Sequence, residues 1–216
     1  MCSATIVVFL RKRITSPSTV GNTILDSDVK TLEDALKLPV EDGTIADLMV
    51  AKTAKIGEKL DFRRVAVIEK KKDEFFGTYL HMGGKIAVVS VVKGANEEVA
   101  KDVAMQAAAM GPKYVFRADV PEDEIARERE VLKEQAMNEG KPADIAEKMV
   151  AGRLNKFFKE ICLAEQAFIK DGDIDVTKYV TNNGGELVGC TSFVVGEGIE
   201  KRQDNFAEEV MAQING

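Results

Sequence analysis

Ile56-Gly57-Glu58-Lys59-Leu60-Asp61-Phe62-Arg63-Arg64-Val65 is the stretch on which the fold turns. An apolar run with helical spacing stops at a glycine, and a strand rich in β-branched and apolar residues starts directly after it. Downstream, Tyr79-Leu80-His81-Met82-Gly83-Gly84-Lys85-Ile86 reads as a glycine-tipped hairpin. Neither segment carries an arrangement that points to chemistry.

Upstream of the junction, Thr44 is a good helix N-cap with Asp47 three residues on. Ile45, Leu48, Met49, Ala51 and Ile56 follow at helical spacing. Residues 31 to 37 fit one or two helical turns. Residues 14 to 30, with Ser16-Pro17-Ser18 and Gly21-Asn22, read as a linker or flexible loop. Ala4 to Leu10 is apolar and is followed by Arg11, Lys12 and Arg13. A signal peptide has its basic residues first, and a membrane span needs about 20 apolar residues, so this start is a short strand or a poorly tied-down end.

Downstream, Phe62 to Ile68, Phe75 to Tyr79 and Ile86 to Val92 read as a β-meander. The last of these is almost wholly apolar, as in a strand covered on both faces. A helix is expected over 97 to 110, capped by Asn96, striped by Val99, Val103, Ala107 and Met110, and ended by Gly111-Pro112. Residues 121 to 160 hold two helices joined at Asn138 to Pro142. The first carries few apolar residues, among them Ile125, Leu132, Ala136 and Met137, which suits a projecting antiparallel hairpin. A weak helix at 175 to 182, a strand from Leu187 to Val195 and a final helix at 203 to 212 complete the chain. The fold class is α+β: small antiparallel sheets packed with helices, plus that hairpin. Four regions are expected: a divergent or flexible segment over 1–30, a partial core subdomain over 31–115, a second over 116–196 carrying the hairpin, and a C-terminal helical module over 197–216.

At 216 residues the chain can bury a sizeable core. Its net charge of −6 argues against nucleic acid as the main partner. Cys2, Cys162 and Cys190 form no C-x-x-C pair and read as reduced thiols of a cytoplasmic protein. No membrane association is expected.

Chemistry finds little support. His81 is the single histidine, too few for the usual zinc spacings. The Gly-Lys near Gly84 fails as a phosphate loop, because Ile86 stands where Ser or Thr must bind magnesium and six residues separate Gly77 from Gly84. Gly196-Glu197-Gly198 places an acid where phosphate would sit. Arg63 and Arg64, neighbours in a strand, are expected to point to opposite faces. What remains are apolar or small residues at turns: Ile56-Gly57, His81-Met82-Gly83-Gly84 and Phe168-Ile169. Loop residues of this kind on a rigid scaffold suit protein binding.

Several ordered motifs together resemble the bacterial translation elongation factor Ts family. These are Lys55-Ile56-Gly57-Glu58 through Arg63-Arg64-Val65, Gly77 to His81, Val103 to Ala108, and Gly140-Lys141-Pro142 with Ile145 to Arg153. Leu163 to Ile169 and Gly196-Glu197-Gly198-Ile199-Glu200-Lys201 extend the likeness, which spans about residues 45 to 212. The resemblance implies a non-enzymatic exchange factor with no cofactor and no metal. Its partner would be elongation factor Tu, in the GDP-bound and nucleotide-free states. By similarity, Ile56, Gly57 and Phe206 would meet the nucleotide-binding domain, and His81, Gly83 and Ile169 would belong to the partner-facing surface. The family's N-terminal helical domain and its Thr-Asp-Phe-Val strand do not occur here. A core-only or truncated version with weakened exchange is therefore expected, the alternative being a GTPase-binding module or scaffold that does not exchange nucleotide. The helical hairpin is a candidate surface for homodimer formation.

Overall fold

The computed structural model describes residues 2–10, 17–57, 60–140 and 142–198. The chain begins with β1 (Cys2–Leu10), α1 (Pro17–Leu25), α2 (Leu32–Leu36), β2 (Pro39–Val40), β3 (Gly43–Thr44) and α3 (Ile45–Ile56). Then come β4 (Asp61–Lys70), β5 (Glu74–His81), β6 (Ile86–Lys93), α4 (Glu97–Met110), α5 (Glu122–Asn138) and α6 (Ala143–Ile161). β7 (Ala167–Phe168), β8 (Asp171–Asp175), α7 (Val176–Asn182) and β9 (Glu186–Val194) follow. Helices and small antiparallel sheets make this an α+β fold. The final helix expected at 203 to 212 lies outside the described residues.

β6 is the centre of the antiparallel sheet β5-β6-β9, which accounts for its unbroken apolar run. Val88, Val89, Ser90, Val91 and Val92 are all buried. One face is covered by α4, and the β1–β4 ribbon approaches from β5 and β6. The helix comes very close where Gly77 and Ser90 stand opposite each other. A side chain at Gly77 would fall on the Ala100 carbonyl and the Lys101 nitrogen, so only glycine fits. There the Ser90 hydroxyl donates to the Ala100 carbonyl at 2.5 Å. Val88, Val92, Val103, Leu163, Phe168 and Val176 form the main core around this crossing.

The expected three-strand meander is not formed. β4 pairs with β1 instead, from Cys2↔Lys70 to Leu10↔Asp61. The reason lies in the corner between β4 and β5. Buried Glu74 accepts the Lys71 N–H at 2.8 Å. This bends the chain so that β5 enters a different sheet, and the apolar N-terminal strand takes the edge of β4.

The linker expected over residues 14 to 30 contains α1. Pro17 opens it, as suits a first helical position. Val20 and Ile24, one turn apart, are buried against Ala35, Ile45, Met49, Leu60 and Phe62. A stripe of two residues among serines, threonines, glycine and asparagine leaves little periodic signal. α3 begins as its sequence indicates. The Thr44 hydroxyl accepts the Asp47 N–H at 3.2 Å, and the Asp47 carboxylate accepts the Thr44 N–H at 2.9 Å.

α5 and α6 fold together along a thin seam of Leu132, Val150, Leu154 and Phe158. Val131, Met137 and Ile145 remain exposed. At the base, Arg117 lies 4.5 Å over the Phe158 ring and is ion-paired with Glu165.

Candidate protein-docking surface

Ile56 and Gly57 sit where α3 ends. Gly57 adopts φ 75°, the left-handed cap that stops the helix, and its N–H donates to the Thr53 carbonyl at 2.9 Å. The Thr53 hydroxyl accepts the Leu60 N–H at 3.1 Å, so one residue anchors both ends of the junction. Leu60 and Phe62 are buried beneath it, whereas Ile56 is 37% exposed.

His81 ends β5, and residues 82 to 85 turn the chain back into β6. The Gly84 N–H donates to the His81 carbonyl at 3.1 Å. Gly83 has φ 67°, and Met82 is the one described non-glycine residue at positive φ, at 50°. Such a conformation costs an ordinary side chain roughly 1 kcal/mol. Met82 projects with 60% of its surface exposed and Leu80 with 70%, while His81 stacks on Tyr79 at 6.1 Å. Two large apolar side chains are therefore held in water at a hairpin tip, with no core beneath them.

The turn after β9 links the hairpin tip to the start of β4. His81 pairs with Ile86, and Ile86 pairs with Val194. The chain then turns, with the Val195 N–H donating to the Lys85 carbonyl at 2.8 Å. Arg63 reaches this turn, donating to the Glu197 carbonyl at 3.2 Å. Leu60, three strand residues back, lies about 10 Å along β4 from Arg63.

Arg63 and Arg64 do not point to opposite faces in the simple way expected. The β1–β4 register jumps between Val8↔Arg64 and Phe9↔Phe62, leaving Arg63 as the extra residue of a β-bulge. The bulge re-aims its side chain, so both guanidiniums reach the turn after β9. Arg64 meets the Glu197 carboxylate at 2.8 Å and lies 4.7 Å over the Phe193 ring. A bulge is a non-local pairing event, so the sequence offered no signal for this convergence.

Ile169 is placed differently, being tied to α4. Its N–H donates to buried Gln106 Oε1 at 2.8 Å, while Gln106 Nε2 donates to the Ala167 carbonyl at 3.1 Å. Gln106 lies about 9 Å along α4 from Ala100, in the direction of the hairpin tip. Ile169 is 52% exposed. Phe168 is no surface anchor: it is buried and stacks on Tyr179 at 3.9 Å. The Tyr179 hydroxyl donates to Asp102 at 2.7 Å, and Lys170 donates to the same carboxylate at 2.6 Å. Burial, with Asp102 beside it, pushes the Tyr179 phenol well up. Phe206, the remaining sequence-derived contact, lies outside the described residues.

A groove of about 580 Å³ between α5 and α6 is lined by Arg129, Lys133, Glu147, Val150, Leu154 and Phe158 among others, and contains none of the sequence-derived positions. Among the described residues, no cluster of His, Cys, Asp and Glu could hold a metal ion, and no helix is long and apolar enough to cross a membrane.

The family described as "Elongation factor TS" matches residues 15–197. This begins well before residue 45, so α1 and α2 fall within the matched region. A curated relative, elongation factor Ts of Limosilactobacillus fermentum, is 48% identical over 196 residues, covering 91% of this chain and 67% of the relative. By family match and identity alike, the chain belongs to the elongation factor Ts family of translation factors.

Proposed function

We propose that the protein is a guanine-nucleotide exchange factor for elongation factor Tu, acting in the cytoplasm. The observation that carries this reading is that the exposed Ile56 of the α3–β4 junction and the exposed Leu80 and Met82 of the hairpin lie on segments joined through one turn, by Arg63 on the Glu197 carbonyl and Val195 on the Lys85 carbonyl. The work is done by binding, with no covalent step. A surface that fits the nucleotide-free GTPase better than its GDP form must weaken GDP by the same factor, because the two bindings are linked. A ligand with equal affinity for both states would shift nothing.

Ile56-Gly57 and the hairpin tip form the principal grip, with Ile169 a separate contact carried by α4. The test is release of fluorescent GDP from elongation factor Tu, followed as this protein is added. Release that accelerates and saturates with concentration supports exchange. Saturable binding with an unchanged GDP off-rate assigns the chain to the alternative, a non-exchanging binding module, and refutes the exchange reading.

A further inference from the structure

The bulge in β4 has a precise target, and that target is not the core. An unbroken strand would send Arg63 and Arg64 to opposite faces. With Arg63 as the extra residue, both side chains engage two consecutive residues beyond β9. Arg63 donates to the carbonyls of Glu197 and Gly198 at 3.2 and 3.5 Å, and Arg64 donates to the Glu197 carboxylate at 2.8 Å. The Arg64 guanidinium also covers Phe193, so charge and ring contact act on the same short turn. Gly196 and Gly198 both have positive φ, which lets the backbone present its carbonyls toward β4. The other side of the turn is bonded to the hairpin through Val195 N–H and the Lys85 carbonyl.

We propose that Arg63 and Arg64 are positioning residues: they clamp the Val195–Gly198 turn onto β4 and so hold the α3–β4 junction and the β5–β6 hairpin tip as one docking surface for the GTPase. The docking role rests on the exchange-factor reading; the clamp itself does not. The turn bridges two sheets that share no strand, β1-β4 and β5-β6-β9. Releasing it frees the two halves of the surface relative to each other while leaving both cores packed. The paired side chains are 41% and 53% exposed at Arg64 and Glu197, so salt weakens the clamp in a way it cannot weaken the core.

Amide hydrogen exchange on the full chain reads the clamp directly, at the Val195 and Glu197 N–H groups bonded to Lys85 and Val194. Arg64→Gln, which loses both the ion pair and the ring contact, should speed exchange over residues 193 to 198 about tenfold. Glu197→Gln, which keeps the ring contact, should speed it about three- to fivefold, and neither should move the thermal midpoint by more than about a degree. Dissociation of the complex with the GTPase should quicken by a similar factor in each variant, about tenfold in Arg64→Gln. Arg64→Lys keeps a cation over Phe193 and near Glu197, and should stay within about twofold of the wild type. Unchanged exchange in Arg64→Gln overturns the clamp. Faster exchange with an unchanged dissociation rate overturns its docking role. A wild-type chain that does not bind the GTPase overturns the function reading, and the exchange rates then decide the clamp alone.

Discussion

Gly77→Ala replaces one hydrogen by a methyl group at the closest approach of helix and sheet. The added carbon would sit more than about 1 Å inside ordinary contact distance of the Ala100 carbonyl and the Lys101 nitrogen. These are backbone atoms of α4, so no side chain can swing aside and the whole helix must lift. Lifting breaks the Ser90–Ala100 hydrogen bond and opens a gap along Val88, Val92 and Val103. Overpacking costs about 1–3 kcal/mol and the lost buried hydrogen bond about 1 more, so destabilisation of about 2–4 kcal/mol is expected. With a urea slope of about 2 kcal/mol per molar, the midpoint falls by roughly 1–2 M. Gly152→Ala is the control: this exposed glycine of α6 has open space around it and should gain about 0.5–1 kcal/mol. Urea denaturation followed by circular dichroism measures both. Equal stability of Gly77→Ala and wild type would refute the close approach.

Gln106→Ala leaves the Ile169 N–H and the Ala167 carbonyl without their buried partner, and should cost about 2–4 kcal/mol by urea denaturation. The hydroxyl and then the amide of Thr44 hold the Asp47 carboxyl below its ordinary value of 3.8. Its stabilising effect is complete above that unfolded value and is lost as pH falls through the lower folded value. The wild type should therefore lose more stability than Asp47→Asn on acidification, as urea midpoints measured from about pH 5 downward will show. Burial pushes the thiols of Cys162 and Cys190 up to about 11 and about 12, so both should resist alkylation at neutral pH. Mass spectrometry of the iodoacetamide-treated native protein checks this, and labelling at Cys162 would contradict its complete burial.

Local features were legible in the sequence because their partners lie within one turn. The Thr44–Asp47 box, the Asn96 cap and the Gly57 and Gly111 stops all depend on residues three or four apart. The apolar run of β6 disclosed a central strand for the same reason. Pairing partners were hidden. Short spacing made β4 and β5 look like a hairpin, but buried Glu74 turns the corner and β1, some sixty residues earlier, takes the ladder. α1 escaped notice because its buried face is two residues wide. At the proposed docking surface, exposure of His81, Gly83 and Ile169 follows from their turns. The bulge that aims Arg63 beside Arg64, and the burial of Phe168 against Tyr179, depend on tertiary contacts that no local pattern encodes.

The central claim, that binding energy is spent differentially on the nucleotide-free GTPase, is tested most directly by two affinities. Isothermal titration of this protein into elongation factor Tu, once freed of nucleotide and once saturated with GDP, measures them. The account predicts tighter binding to the nucleotide-free form, by the same factor as GDP affinity falls in the complex. Equal affinity for the two forms would contradict it.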